Sequence, residues 1–128
     1  MSSVYVEITL KNGGDVVLAR NGHIKERNIR TLTTTALVNT GVMTLVIGEE
    51  MREKLGIVIS SSVTGGAQLN PEAPCSITEP IEVCWGDRTA CVRTWVLANE
   101  KEVLLGVIPL EDMNLIRSTK LKRDERAA

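Results

Sequence analysis

Short apolar runs rich in β-branched residues, most of them followed closely by glycine or asparagine, are the feature of this sequence that most constrains its fold. Positions 4–10 alternate apolar and polar residues, which is the period of a strand with one buried face. Asn12-Gly13 follows and predicts a tight hairpin turn with a return strand at 16–19. The same patterns predict further strands at 32–38, 44–47, 57–60, 80–85, 89–97 and 103–108.

Helices are predicted in only two places. Residues 48–55 carry acidic side chains first and basic ones last, which complements a helix dipole, and Gly56 lies where a C-terminal cap belongs. Pro109 suits the first turn of a short helix over 109–116. Together with the strands, these patterns predict an all-β fold with one or two short helices.

Length, charge and composition exclude several kinds of protein. A chain of 128 residues favours one domain, which we place at 1–116, followed by a basic C-terminal tail at 117–128 that frays. The net charge of −1 and the aromatic content of 2% argue against a nucleic-acid partner. The uncharged stretch at 31–48 is too rich in threonine to span a membrane, so no membrane partner is expected.

The cysteines and the single histidine do not form a recognisable site in the sequence. Cys75, Cys84 and Cys91 lack the spacing of zinc ligands, and nothing places His23 beside them as a catalytic base. We therefore expect no metal site, with the thiols in the core or on the surface. No segment has the pattern of a targeting peptide, so the prediction is a cytoplasmic protein with reduced thiols.

Two segments carry the candidate site. In the first, a buried strand delivers a small polar residue and a glycine to a tight loop, which presents a polar side chain rigidly. In the second, a glycine ends an apolar strand, and its lack of a side chain lets that strand pass close behind the loop of another. The first segment contains Asn39, Thr40 and Gly41, and the second contains Leu104, Leu105 and Gly106.

This ordered pair of motifs resembles that of the retropepsin-like aspartic proteases, the family that includes the retroviral enzymes and their bacterial relatives. Residues 37–41 match the family's apolar-apolar-Asp-Thr-Gly motif, with Asn39 in the place of the aspartate. Residues 104–106 match its apolar-Leu-Gly motif, and the helix predicted after them has the family's position. The resemblance spans about residues 4–116. It implies a small closed β-barrel that acts as a homodimer on peptide or protein substrates.

The resemblance also implies roles for individual residues. Position 39 would supply one of two carboxylates, one from each subunit, that share a proton and activate a water molecule without any metal or cofactor. The Thr40 hydroxyl would bond across the two-fold axis, and Gly41 would allow the turn. Gly65 and Gly66 lie where the family's substrate-covering flap would be, within residues 61–74.

Asn39 departs from the pattern in the residue that matters most. A carboxamide has nearly the shape of a carboxylate but is no base at neutral pH, so we expect this chain to be inactive or nearly so. Asn39 is either an engineered replacement or the mark of a natural pseudoprotease that serves as a peptide-binding or scaffolding module. Val42, where the family usually has alanine, is a milder departure. A third interpretation, an unrelated β-barrel with a chance match, predicts that the two motifs lie far apart in space.

Overall fold

A computed structural model describes residues 3–64 and 74–115 of the chain. The predictions for Gly65 and Gly66, for the domain boundary at 116 and for the tail at 117–128 lie outside the described residues. None of the helices within the described ranges is both long enough and apolar enough to cross a membrane.

The strands form one mixed sheet, and their number and positions confirm most of the strand predictions. The strands are β1 Tyr5–Asn12, β2 Thr31–Val38, β3 Leu45–Gly48, β4 Ile59–Thr64, β5 Pro74–Thr78, β6 Ile81–Trp85, β7 Arg88–Val92, β8 Thr94–Leu97 and β9 Val103–Leu105. The sheet order is β4-β5-β8-β3-β9-β2-β1-β6-β7. Gly86, in the turn between β6 and β7, has a φ of 62°, which favours glycine.

Three α-helices are present in the described part of the chain, rather than the one or two that the sequence predicts. They are α1 Gly13–Arg20, α2 Glu49–Leu55 and α3 Val107–Asp112, and a 3₁₀ turn spans Glu26–Asn28. The prediction for α2 is confirmed, and Gly56 caps it in the left-handed conformation with a φ of 62°. Helix α3 begins two residues before Pro109 and ends earlier than predicted.

The predicted hairpin at Asn12-Gly13 and the return strand at 16–19 are wrong, because this segment is helix α1. The Asn12 side chain accepts a hydrogen bond from the Asp15 backbone N–H, so it caps a helix instead of forming a turn. The amide nitrogen of the same side chain is hydrogen-bonded as well, because Asn12 Nδ2 donates to the Leu55 carbonyl oxygen over 2.9 Å. A local turn signal was therefore overridden by tertiary contacts of the same residue.

The closed barrel that the family resemblance implies is not confirmed. Strands β4 and β7 stand at the two ends of the strand order, and no pairing between them closes the sheet of the described residues. The structure is rich in β-sheet, as predicted.

The main core lies on one face of the sheet and under helices α2 and α3. Its members are aliphatic side chains at alternate positions of the strands, as the alternating pattern requires. Leu10, Leu45 and Leu105 are fully buried there, and Leu55 and Leu110 close it from the helices. The core therefore fixes β3 and β9, the two strands nearest to the candidate site.

Strand β9 lies between β2 and β3, although these two are consecutive in the chain. β9 pairs parallel to β2 and antiparallel to β3. The loop that joins β2 to β3 therefore has to pass over the end of β9. Residues 39–44 form that loop, which is where both motifs meet.

Candidate functional site

The structure brings the two sequence motifs together at the end of β9. The backbone N–H of Asn39, the first residue after β2, donates to the Leu105 carbonyl oxygen over 3.0 Å. The interpretation of an unrelated fold with a chance match predicted that the two motifs lie apart, and this prediction is wrong.

The rest of the 39–44 loop is bonded to the chain segment that follows β9. Three consecutive backbone amides, at residues 106–108, donate to the carbonyl oxygens of Thr44, Val42 and Met43 over 3.1, 3.0 and 2.7 Å respectively. Because these bonds join backbone to backbone, they hold the loop in place whatever its side chains are. The start of α3 and the loop after β2 therefore form one rigid unit.

Gly106 is the residue that makes this contact possible. A Cβ atom added there would lie 2.4 Å from the Thr44 carbonyl oxygen and 2.5 Å from that of Val42. Both distances are far below van der Waals contact, and both neighbours are backbone atoms that cannot turn aside. The close approach predicted for a glycine at this position is confirmed.

The side chain of Asn39 is held by its own loop. Its Oδ1 accepts a hydrogen bond from the Gly41 backbone N–H over 2.8 Å. A Cβ atom on Gly41 would lie 3.0 Å from the same Oδ1, so a side chain there would crowd the bond. Asn39 is partly buried, whereas Thr40 and Gly41 are exposed. The loop therefore presents its motif at the surface in a defined orientation.

The chemistry available at this loop is limited to hydrogen bonding. None of the residues 39–44 has an ionisable side chain. The carboxamide of Asn39 can donate and accept hydrogen bonds but has no proton to exchange near neutral pH. The loop as it stands can orient a ligand or a partner, and it lacks a group that can act as a base.

Thr44 supports the site in a way that the sequence pattern did not reveal. Its side chain is buried, and its Oγ1 donates to the Arg93 carbonyl oxygen over 2.9 Å. This bond ties the end of the loop to the chain just before β8. In the sequence Thr44 looked like an ordinary strand residue, and no local pattern distinguishes a threonine with this role.

An apolar row crosses the sheet beside the loop, on the face opposite the main core. Cross-strand pairs join β8 to β3, β3 to β9, β9 to β2 and β2 to β1 at successive positions. Val46 and Leu104 in the middle of the row are buried, and Val42 from the loop packs on them. The row consists of Trp95, Val46, Leu104, Leu37 and Tyr5.

The row ends at Tyr5, which is 54% exposed. Its hydroxyl donates to Glu102 Oε1 over 3.1 Å. That hydrogen bond and the nearby negative charge raise the pKa of Tyr5 above its usual value, because both oppose ionisation of the phenol. Tyr5 therefore keeps its proton and adds a polar end to an otherwise apolar row.

The other residues considered in the sequence do not join this site. Cys75 is buried, Cys84 is partly buried and Cys91 is exposed, and all three are free thiols. Burial, as the largest cause, raises the pKa of each thiol, which disfavours the nucleophilic thiolate. His23 lies exposed just after α1, on a different part of the chain.

Comparison with known proteins does not assign this chain to a family. No family model matches the chain. No curated protein matches it either. Among solved structures, the chain is similar to a retropepsin-like aspartic protease from Rickettsia conorii, at 17% sequence identity and a TM-score of 0.42, over 83% of this chain and 78% of that chain. At these values the likeness assigns neither a family nor an activity to the chain.

Proposed function

We propose that this chain has the architecture of an aspartic endopeptidase of the retropepsin type, which acts as a homodimer, and that Asn39 makes this form inactive or nearly so. The observation that carries the proposal is the hydrogen bond from the Asn39 N–H to the Leu105 carbonyl oxygen. It joins the two motifs of the sequence, which follow each other in the order that the family resemblance implies.

An aspartate at position 39 would supply the missing chemistry. With one carboxylate from each subunit in contact, the pair shares a proton, because two like charges at that distance cannot both ionise. The ionised member acts as a base on water while the protonated member polarises the scissile carbonyl. Loss of general acid–base catalysis typically slows a reaction by a factor of about 10² to 10⁴, and loss of both members slows it further.

The expected substrates are extended peptide segments with apolar side chains around the cut. This expectation is supported by the apolar row beside the loop, in which Trp95 and Leu37 are partly buried. The substrate strand is expected to add backbone hydrogen bonds to the flap edges, and β4, which leads into that segment, stands at one end of the strand order of the described residues. The roles of Gly65 and Gly66 in covering the substrate and the cytoplasmic location both stay predictions.

The direct test is to replace Asn39→Asp and measure cleavage of a denatured protein mixture near about pH 5, where a carboxylate pair can hold one proton. We expect cleavage that an inhibitor of aspartic proteases blocks. Asn39→Ala is the matched control, since it changes the same loop without adding an acid, and it should show no cleavage. If the Asn39→Asp variant forms dimers and cleaves nothing, the proposed activity is wrong.

A second candidate function is a natural pseudoprotease that binds peptides or serves as a scaffold without cutting them. The observation that favours it is the Asn39 carboxamide itself, which is held by Gly41 and can still donate hydrogen bonds to a peptide carbonyl. This function would be favoured if the Asn39→Asp variant cleaves no peptide and the Asn39 chain binds peptides. Whether Asn39 is engineered or natural separates the two candidates.

A further inference from the structure

Strand β2 is paired along its whole length on one edge and only in part on the other. Its neighbours in the sheet are β1 and β9. Strand β1 pairs with residues 31–37 of β2, whereas β9 pairs only with residues 36–38. The β9 side of residues 31–35 therefore has no strand of the described chain beside it.

The hydrogen bonds at the two ends of the β1–β2 pair decide which backbone groups face this open edge. At one end, the Val38 N–H donates to the Val4 carbonyl oxygen. At the other end, the Asn12 N–H donates to the Arg30 carbonyl oxygen. Bonded and non-bonded positions alternate in an antiparallel pair, so the even-numbered residues of β2 face β1. The N–H and the carbonyl group of Thr33 consequently point to the open edge.

A groove of about 550 Å³ lies beside this open edge. Leu32 and Thr33 line it from β2, Met51 lines it from α2, and residues 100–102 line it from the loop before β9. Leu32 and Met51 are partly buried and pack on the main core, so the groove has apolar side chains next to the free backbone groups. A slot beside a free strand edge is the kind of site that an extended peptide fills by adding a strand.

The charged side chains at the groove favour a basic peptide. Lys54 is paired with Glu50 over 3.4 Å, so these two charges offset each other. Glu102 accepts a hydrogen bond from a neutral hydroxyl and Glu100 accepts one from a backbone N–H, and neither forms an ion pair within the described residues. Lys101 is the other cation among the residues that line the groove. An excess of one negative charge is left for a ligand to meet.

We propose that this groove binds an extended peptide of alternating basic and apolar residues, which adds a strand to the open edge of β2. Successive side chains of a strand point to opposite faces, so such a peptide can present basic groups to Glu100 and Glu102 and apolar groups to Leu32 and Met51. The lining residues that the structure describes do not include the 39–44 loop. The inference therefore goes beyond the proposed function and does not depend on it.

The test uses the full chain and a capped hexapeptide of alternating lysine and valine, which is long enough to span residues 31–35. Isothermal titration calorimetry measures the affinity, and hydrogen exchange locates the bonds. We expect the peptide to slow exchange of the Thr33 amide, whose N–H faces the open edge. Exchange of the Thr34 amide should stay unchanged, because its N–H already faces β1. Absence of binding, or binding without a change at Thr33, would overturn the inference.

The variant Thr33→Pro tests the backbone bond without affecting the bonds between β1 and β2. Proline lacks the N–H that faces the groove, and a strand tolerates it where that N–H points away from the ladder. We expect the peptide to bind about tenfold or more weakly, since a bond is lost and the ring enters the groove. Thr33→Val is the matched control, because it keeps the N–H and should bind as the native chain does. Equal affinities of these two variants, both shown to be folded by thermal unfolding, would contradict the proposed pairing.

A capped peptide of alternating glutamate and valine measures the contribution of charge. We expect it to bind about fivefold or more weakly than the lysine peptide, and Glu102→Gln should weaken binding of the lysine peptide alone. Similar affinities for the two peptides would show that the assigned chemistry is wrong. If neither peptide binds, while sedimentation shows self-association that Thr33→Pro abolishes, the groove takes a second copy of this chain and the inference is overturned.

Discussion

Gly106 lies where the loop after β2 and the start of α3 come closest, and a side chain there would meet two backbone carbonyl groups. We expect Gly106→Ala to lower the free energy of unfolding by about 1–3 kcal/mol or more, since neither carbonyl can move without breaking the bonds that hold the loop. Urea unfolding measures this. Ile108→Ala, at an exposed position two residues on, is the control and should change stability by less than about 0.5 kcal/mol.

Asp15 forms an ion pair with Arg30 that makes the stability of the fold depend on pH. Its carboxylate accepts bonds from the Arg30 backbone N–H, Nε and Nη2, at 3.0, 2.8 and 3.0 Å. The Arg30 bonds, more than its charge, lower the pKa of Asp15 below its ordinary value of 3.8. The pair therefore stabilises the fold fully above the ordinary pKa, and this contribution is lost as the pH falls through the lower pKa of the folded state.

Replacement of Asp15→Asn tests this dependence. At pH 7 the variant should be less stable by about 1–3 kcal/mol, because the bonds to Arg30 lose their charged acceptor. The difference should shrink as the pH falls below the ordinary carboxyl pKa, since the native Asp15 then becomes neutral too. Urea unfolding of both proteins over a pH series measures it. A difference that does not change with pH would contradict this explanation.

At the scale of elements, Asn12 joins two helices through opposite ends of one side chain. It caps α1 by accepting from the Asp15 N–H, and it donates to the Leu55 carbonyl at the end of α2. Asn12 is 4% exposed, so water cannot replace either bond. We expect Asn12→Ala to cost about 2 kcal/mol or more, above the usual loss for a cap alone.

The comparison for that variant is Asn12→Ser, whose hydroxyl can accept from the Asp15 N–H as a cap but supplies no amide donor to Leu55. Its stability, from thermal unfolding, should lie between that of the native protein and that of Asn12→Ala. If Asn12→Ser is as unstable as Asn12→Ala, the cap on α1 contributes nothing and the explanation of that helix is wrong.

The elements show how far the sequence could predict the fold. Strand periodicity and the C-terminal cap of α2 at Gly56 are local properties, and that cap and most of the predicted strands were confirmed. Helix α1 was missed because Asn12-Gly13 has the local chemistry of a turn. In the structure Asn12 caps the helix through the Asp15 N–H, and a separate bond to the distant Leu55 holds its side chain in place. Contacts between residues far apart in the chain are not visible in a periodic pattern.

The close approach at Gly106 was more predictable than α1, for a physical reason. Gly106 is required by a backbone contact, so the residue type itself carried the information. Thr44 and Tyr5 were not found, because their partners Arg93 and Glu102 lie 49 and 97 residues away. When the role of a side chain depends on so distant a partner, the neighbouring residues in the sequence do not predict that role.

Over the whole molecule, the loop and the apolar row meet at Val42, which packs on Val46 and Leu104. A single chain offers one residue at position 39, whereas the proposed chemistry needs two. Any hydrolytic activity of an Asn39→Asp variant is therefore expected to depend on protein concentration and to disappear below the dissociation constant of the dimer.

In the proposed function, position 39 is a catalytic position from which only the acid is missing. The decisive measurement is the rate of peptide hydrolysis by the Asn39→Asp variant as a function of pH. We expect a bell-shaped profile with two apparent pKa values that belong to the coupled pair, one for each proton. Absence of hydrolysis at every pH, in a variant shown to be folded and dimeric, would show that position 39 is not catalytic.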